Sequence, residues 1–189
     1  MKGYRFQVLG CSLILCLLFT VTCTLSTAYA SENIGQSRIS PASPLYFLKT
    51  IRENIELKFA ATPRVGQIRQ LEFATRRLRE VKSLIPITRQ DLIEPTLERY
   101  WYHLQAVDNA GEVLGIHIET LESIYSQVSN KRARMAIRAT VNRIVQRADL
   151  LGSAKVPACN FLTKEASSSG LNEVEREILS GRGSNCYFK

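Results

Sequence analysis

From residue 43 to about residue 151, apolar side chains return every third or fourth position, in five runs separated by helix-stopping signals. That spacing matches the 3.6-residue turn of an amphipathic helix and not the alternation of a strand. The first run is Leu45, Leu48, Ile51, Ile55 and Phe59, opened by Ser43-Pro44. Serine accepts from free N–H groups at a helix start, and proline fits the first turn, where its missing donor costs nothing. Thr62-Pro63 repeats the device ahead of Val65, Ile68, Leu71, Ala74, Leu78, Val81 and Ile85, and Pro86 closes that run. The segment Thr88 to Asp91 offers a third cap, with a carboxylate at the positive end of a helix bearing Leu97, Tyr100, Trp101, Leu104 and Val107. Asn109-Ala110-Gly111 predicts a break. A fourth helix then runs from about Glu112 to Val128. Ser129-Asn130 separates it from a fifth, with Ala133, Ile137, Val141, Ile144, Ala148 and Leu151 on one side. No strand pattern competes, so the expected class is all-α: a small bundle of about five amphipathic helices joined by short turns.

The first thirty residues follow a different pattern. Lys2 and Arg5 precede an apolar stretch from Val8 to about Val21, and Ala28-Tyr29-Ala30 supplies the small residues of a cleavage site. This is the layout of a secretory signal peptide. The apolar run is shorter than the ~20 residues a spanning helix needs. An uncleaved segment would instead tether the bundle at a membrane surface. The expected organisation is therefore a signal peptide over 1–30, a flexible leader over 31–42, the helical bundle over 43–152 and a C-terminal tail over 153–189. Location outside the cytoplasmic membrane, extracellular or in the cell envelope, follows from the first of these.

Cleavage changes the composition. It removes three of five cysteines and leaves Cys159 and Cys186, an even count in an exported chain, which predicts a disulfide. Closing about 28 residues, it would stabilise by ~3–4 kcal/mol in the chain-entropy account. The tail is rich in Ser and Gly and carries one short helical stretch, Asn172 to Leu179. Such a composition buries little apolar area, so the bridge is expected to pin it. The charge falls from +8 to 23 − 17 = +6 once Lys2 and Arg5 are gone. Outside the cell, that excess suits an anionic polymer, lipid headgroups or an acidic partner, and nucleic acid is not the expected ligand.

Three clusters are candidate sites. Arg132, Arg134, Arg138, Arg143 and Arg147 crowd the fifth helix, either as a basic surface or as the outer face of a bundle. Arg76 and Arg77 on the second helix are placed to meet Glu53 or Glu56 on the first, with Tyr46 beside them, as a structural polar network. An exposed pairing of this kind is worth only ~0–1 kcal/mol. Tyr100-Trp101-Tyr102-His103 is the densest aromatic group, and its spacing assigns positions 100, 101 and 104 to a core. His103 and His117 have no His-Glu-x-x-His context. No catalytic set, metal site or cofactor motif is predicted.

The block Ser43-Pro44-Leu45-Tyr46-Phe47-Leu48-Lys49, together with Phe73-Ala74-Thr75-Arg76-Arg77-Leu78-Arg79-Glu80, resembles a bacterial family of exported helical domains of unknown function with a Ser-Pro-Leu-Tyr-x-Leu-Lys opening. The likeness covers roughly 41 to 150. It implies a small exported helical domain behind a signal peptide or anchor, and neither a catalytic residue nor a ligand. The expected function is a non-catalytic interaction or structural domain of the bacterial cell envelope, its partner an unknown envelope protein or anionic polymer. The alternatives are a basic binder of anionic lipid or cell-wall polymer and, third, an envelope hydrolase.

Overall fold

A computed structural model of the chain describes residues 34–167, 171–174 and 176–179. Six α-helices are defined among them: α1 Tyr46–Lys58, α2 Pro63–Leu84, α3 Ile93–Gln105, α4 Gly111–Gln127, α5 Lys131–Val145 and α6 Gly152–Ala166. A 3₁₀ turn, Gln90–Leu92, leads into α3. No strand occurs among the described residues.

The predicted starts of α2 and α5 are built as their sequences require. The Thr62 hydroxyl accepts from the Val65 N–H with Pro63 in the first turn, and the Asn130 side chain accepts from the Ala133 N–H. The cap expected at Thr88 to Asp91 does not form. Thr88 has a positive φ of 57°, and no side chain caps the 3₁₀ turn or α3. Thr88 instead terminates α2, with Arg89 N–H reaching back to Leu84 O at 3.1 Å.

The core is apolar and shared by α2 to α6. Leu78, Leu84, Leu97, Tyr100, Leu104, Leu114, Leu121, Ile124 and Ile137 are all fully buried. Each Leu or Ile removed from water in this way contributes roughly 1.5–3 kcal/mol. α3 lies along α2 and against α5, while α6 packs on α4 and α5.

Two expectations about the ends are corrected. The stretch placed in a C-terminal tail from residue 153 is largely a sixth bundle helix. Ala154, Ala158, Leu162 and Ala166 recur every four residues and are buried, with Phe161 and Cys159 beside them. Small side chains let α6 approach closely: a methyl added at Gly115 of α4 would touch Ala154 Cβ at 3.5 Å. Beyond it, residues 173–174 and 176–179 are helical, and Leu171 and Leu179 join the core. The leader, expected to be flexible over 31–42, lies along α2 in its described part. Ile34 is buried, its carbonyl accepts from Lys82 Nζ at 2.6 Å, and Ser37 N–H donates to Arg79 O at 3.2 Å.

The junction of α3 and α4 is closed by the turn that follows α5. Arg147 donates to Leu104 O at 3.0 Å and Val107 O at 2.7 Å, satisfying carbonyls at the negative end of α3. It also holds Asp149, whose carboxylate accepts from the Ala110 N–H at 2.7 Å. Burial pushes the Asp149 carboxyl up, but the hydrogen bonds from Arg147 and Ala110 outweigh it and hold the pKa below the usual range. The backbones meet so closely that a Cβ on Gly111 would sit 2.3 Å from Asp149 O.

Candidate functional site

The first helix is built inside out. Its only buried residues are Tyr46 and Glu53. The apolar run predicted to face the core points to solvent instead: Leu45, Leu48, Ile51 and Ile55 are each half exposed or more, and Phe59 is 81% exposed. Periodicity defines two faces of a helix, and here the polar one was chosen for packing.

That polar face meets a matching set on α2. Arg77, itself buried, donates to both oxygens of Glu80 at 2.8 and 2.7 Å, to Glu53 and to the Tyr46 hydroxyl. The Tyr46 hydroxyl in turn donates to Glu80 at 2.8 Å, and Lys49 adds a second cation on the same carboxylate. Arg76 stands 3.6 Å from both Glu53 and Glu56. Guanidinium groups of Arg77 and Arg99 lie 5.7 and 5.3 Å from the centre of the Tyr46 ring. Burial, followed by the charge of Glu80, pushes the Tyr46 pKa up to about 12. Burial alone would lower the pKa of Arg77, but Glu80 and Glu53 raise it, so the cation is held charged.

The structure thus brings together Tyr46, Glu53, Arg76 and Arg77, the four residues of the predicted polar network. It adds Lys49, Glu80 and Arg99. Glu80 was visible in the Arg-Arg-Leu-Arg-Glu block, three residues from Arg77, a spacing that puts both on one helical face. The pairing is buried, so the small value of an exposed pair does not apply. Glu80 and Arg77 are among the most buried charges of the described residues, and a buried pair that loses one partner costs about 3–5 kcal/mol rather than a fraction of one.

Beside this seat is an open cleft of about 550 Å³ between the leader, α1 and α2. Ile39, Leu45 and Leu48 give it an apolar side, and Arg38, Arg52 and Arg79 a cationic one. Among the described residues, Arg38 and Arg79 have no carboxylate within ion-pair distance.

The five arginines of α5 and the turn after it do not form a common basic face. Arg132 is exposed and pairs with Glu94. Arg143 pairs with Glu98 at 2.9 Å and lies near the Trp101 ring. Arg134 stacks 4.2 Å over Tyr125. Arg138 is buried against the Tyr125 hydroxyl at 3.3 Å and Glu165 at 3.5 Å, and Arg147 caps α3. The cause is simple: α3 and α6 place carboxylates opposite these side chains, and the helix points its cations in several directions. Tyr125, Arg138 and Glu165 form a second buried polar set linking α4, α5 and α6. Sequence reasoning missed it because Glu165 lay in the supposed tail.

Neither histidine meets a carboxylate among the described residues. His117 is fully buried, with Nε2 3.0 Å from Thr75 Oγ1 and Nδ1 3.1 Å from the Tyr100 hydroxyl. Thr75 donates its own proton to Leu71 O, so it accepts from Nε2–H, and Nδ1 accepts from Tyr100. Burial lowers the His117 pKa to about 3. His103 bonds Gln70 at 2.7 Å. Burial, then Arg77 and Arg99, lower its pKa to about 4. The Tyr100–Leu104 side faces the core as the spacing predicted, with Trp101 half-buried and Tyr102 exposed. No group of three or more His, Cys, Asp or Glu able to hold a metal occurs among the described residues. No described helix is long and apolar enough to cross a membrane.

Fold and site together define a small all-α domain, one apolar core with a polar-seated helix on its flank. Residues 38–156 match the family described as a domain of unknown function (DUF5667), and the chain belongs to that family. The matched span includes α1, α2 and the network between them. No curated protein and no solved structure matches the chain.

Proposed function

We propose that this chain is an exported, non-catalytic helical interaction or structural domain of the bacterial cell envelope. The observation that carries this reading is the orientation of α1. Buried ion pairs hold it with its apolar face outward, where a purely structural helix would hide that face. Support for export comes from the sequence: the cationic start, the Val8–Val21 run and the Ala28-Tyr29-Ala30 site. The opening block Ser43 to Lys49 supports kinship with exported bacterial domains. The paired arginines of α5 give no geometric support to a basic surface there. The contacts of His103 and His117 with Gln70, Thr75 and Tyr100 give none to a hydrolase.

The reading includes a bridge between Cys159 and Cys186. Cys159 is buried on α6, and Cys186 lies outside the described residues. Expression of the full chain in bacterial cells tests the whole. A polypeptide of residues 31–189 is expected outside the cytoplasmic membrane, two hydrogens lighter before reduction than after. A photo-crosslinking residue at position 51 is expected to give an adduct there. A cytosolic full-length chain with alkylatable thiols and no adduct would sink the proposal.

A further inference from the structure

The exposed stripe of α1 has one pronounced partner chemistry. At 100° per residue, Leu45, Leu48, Ile51, Ile55 and Phe59 fall within an arc of about 120°. The apolar exposure continues at Val65 and Ile68 in the first turns of α2. The charges beside it are sorted by sign. Both acids of α1 are taken up by arginines: Glu53 by Arg76 and Arg77, Glu56 by Arg52 and Arg76. On the edge of the stripe stand cations, Lys58 on the helix and Arg38 and Arg79 across the cleft, all exposed, while Arg52, held by Glu56, lies within the arc. An apolar strip with a cationic margin complements an apolar interior with an anionic margin. A second copy of this chain would bring like-charged margins together around the same stripe, which disfavours it.

We propose that α1 and its adjoining cleft form a docking face for an anionic phospholipid bilayer. The stripe lies at the headgroup–acyl boundary, and Arg38 and Arg79 meet the phosphates. This rests on the interaction reading above and names its partner. It differs from the α5 basic surface considered from sequence, where Arg132, Arg138, Arg143 and Arg147 are held by carboxylates. The polar seat explains how the stripe stays presented: Tyr46, Lys49 and Glu53 fasten the opposite face, so the helix need not unfold or roll to reach lipid.

The test uses residues 31–189, which contain the compact unit beginning at Asn33. The protein is sedimented with vesicles of phosphatidylcholine alone or mixed with phosphatidylglycerol. Binding to the mixed vesicles is expected to exceed binding to phosphatidylcholine by on the order of tenfold and to weaken with salt. Ile51→Glu with Ile55→Glu, both at exposed positions, is expected to lower it by on the order of tenfold or more. Arg38→Glu with Arg79→Glu should remove the preference for the acidic lipid. Thermal unfolding of each variant is recorded alongside, and a Phe59→Trp, Trp101→Phe protein should show a blue-shifted emission on mixed vesicles. Equal binding by wild type and the Ile51/Ile55 variant overturns the proposal, as does a folded wild type that ignores both vesicles. Self-association without lipid that Ile51→Glu abolishes would assign the stripe to a second copy, overturning the lipid assignment alone. No binding, no self-association and no adduct at position 51 in cells would remove the interaction reading as well.

Discussion

The chain buries two helix surfaces by opposite means. Between α2 and α6, leucines, isoleucines and Tyr100 interlock, with a few polar groups satisfied locally. Between α1 and α2, the buried side chains of α1 are a tyrosine and a glutamate, and Arg77, Glu80 and Lys49 complete the contact. The first surface is non-directional and tolerates repacking. The second works only in one register, because each charge needs its own partner. A polar seat contributes less net stability per buried atom, since desolvation offsets most of the attraction. What it achieves is orientation: an apolar seat would have pulled the Ile51 face inward.

The largest expected effect breaks the seat. Arg77→Ala leaves Glu53 and Glu80 without their shared buried cation, a loss of about 3–5 kcal/mol. Since α1 sits on the flank, it can detach and let water reach both carboxylates. Hydrogen exchange should therefore show α1 amides losing protection while α4 and α5 keep theirs. Equal loss in both regions would show that seat and core form one cooperative unit. Replacing Arg77, Glu53 and Glu80 together by Met and two Leu should restore most of the protection, because the guanidinium and its two carboxylates are removed together. Some loosening is expected at Lys49, which loses Glu80.

An acid titration sharpens the contrast from the core side. His117 has a folded pKa near 3, well below the ordinary 6.5. Between those values the unfolded chain binds the proton and the folded chain does not, so stability rises with pH across the window and falls on acidification. The slope approaches 1.4 kcal/mol per pH unit, a total on the order of 4 kcal/mol by pH 3. His103, lowered to about 4, acts in the same direction. His117→Leu combined with Tyr100→Phe and Thr75→Val leaves no orphaned partner and should flatten this limb in denaturant titrations at pH 4 and 6.5. An unchanged slope would show that His117 is not what couples the core to acid.

These two regions were not equally legible from the residues. Helices α2 and α5 announced themselves because stripe, cap and packed face agree, as at Thr62 and Asn130, whereas α3 was legible from its stripe without a cap. For α1 the stripe located the helix and misassigned its buried side. Hydrophobic period reports that two faces exist, while the choice between them lay in the match of Tyr46, Lys49 and Glu53 to Arg77 and Glu80, about four to five turns into another helix. In α6 the misleading signals were local. Gly152, Ser153 and Pro157 read as linker residues, yet α6 carries Pro157 inside it, in the second turn, where one backbone hydrogen bond is forgone, and the packing face is mostly alanine, which a hydrophobic stripe search passes over.

A smaller effect is expected where α2, the helix common to both surfaces, ends. Thr88 holds a left-handed backbone, φ 57°, disfavoured for a β-branched residue. Asparagine tolerates that conformation, and Thr88→Asn should raise global stability by up to about 1 kcal/mol. The Thr88 hydroxyl bond to Ile87 O is solvent-exposed and adds little to the other side. Because the change stabilises α2 as a whole, it should raise the denaturation midpoint and leave the difference in exchange between α1 and the core unaltered.

The smallest effect decides the comparison most cleanly. Ile51 and Ile124 are the same residue on amphipathic helices, one half exposed on α1, the other fully buried on α4. Truncating Ile124 to alanine removes packed methyl groups and leaves a cavity, at a cost of about 2–5 kcal/mol. Truncating Ile51 removes groups that already face water and should change stability by no more than about 0.5 kcal/mol. Urea unfolding of the two variants side by side measures both. A loss at Ile51 comparable to that at Ile124 would mean that the stripe is covered within the monomer and that α1 is seated by its apolar face. Near-zero cost together with lost vesicle binding would separate the two roles: a side chain that the fold does not need, kept outward by a buried arginine that it does.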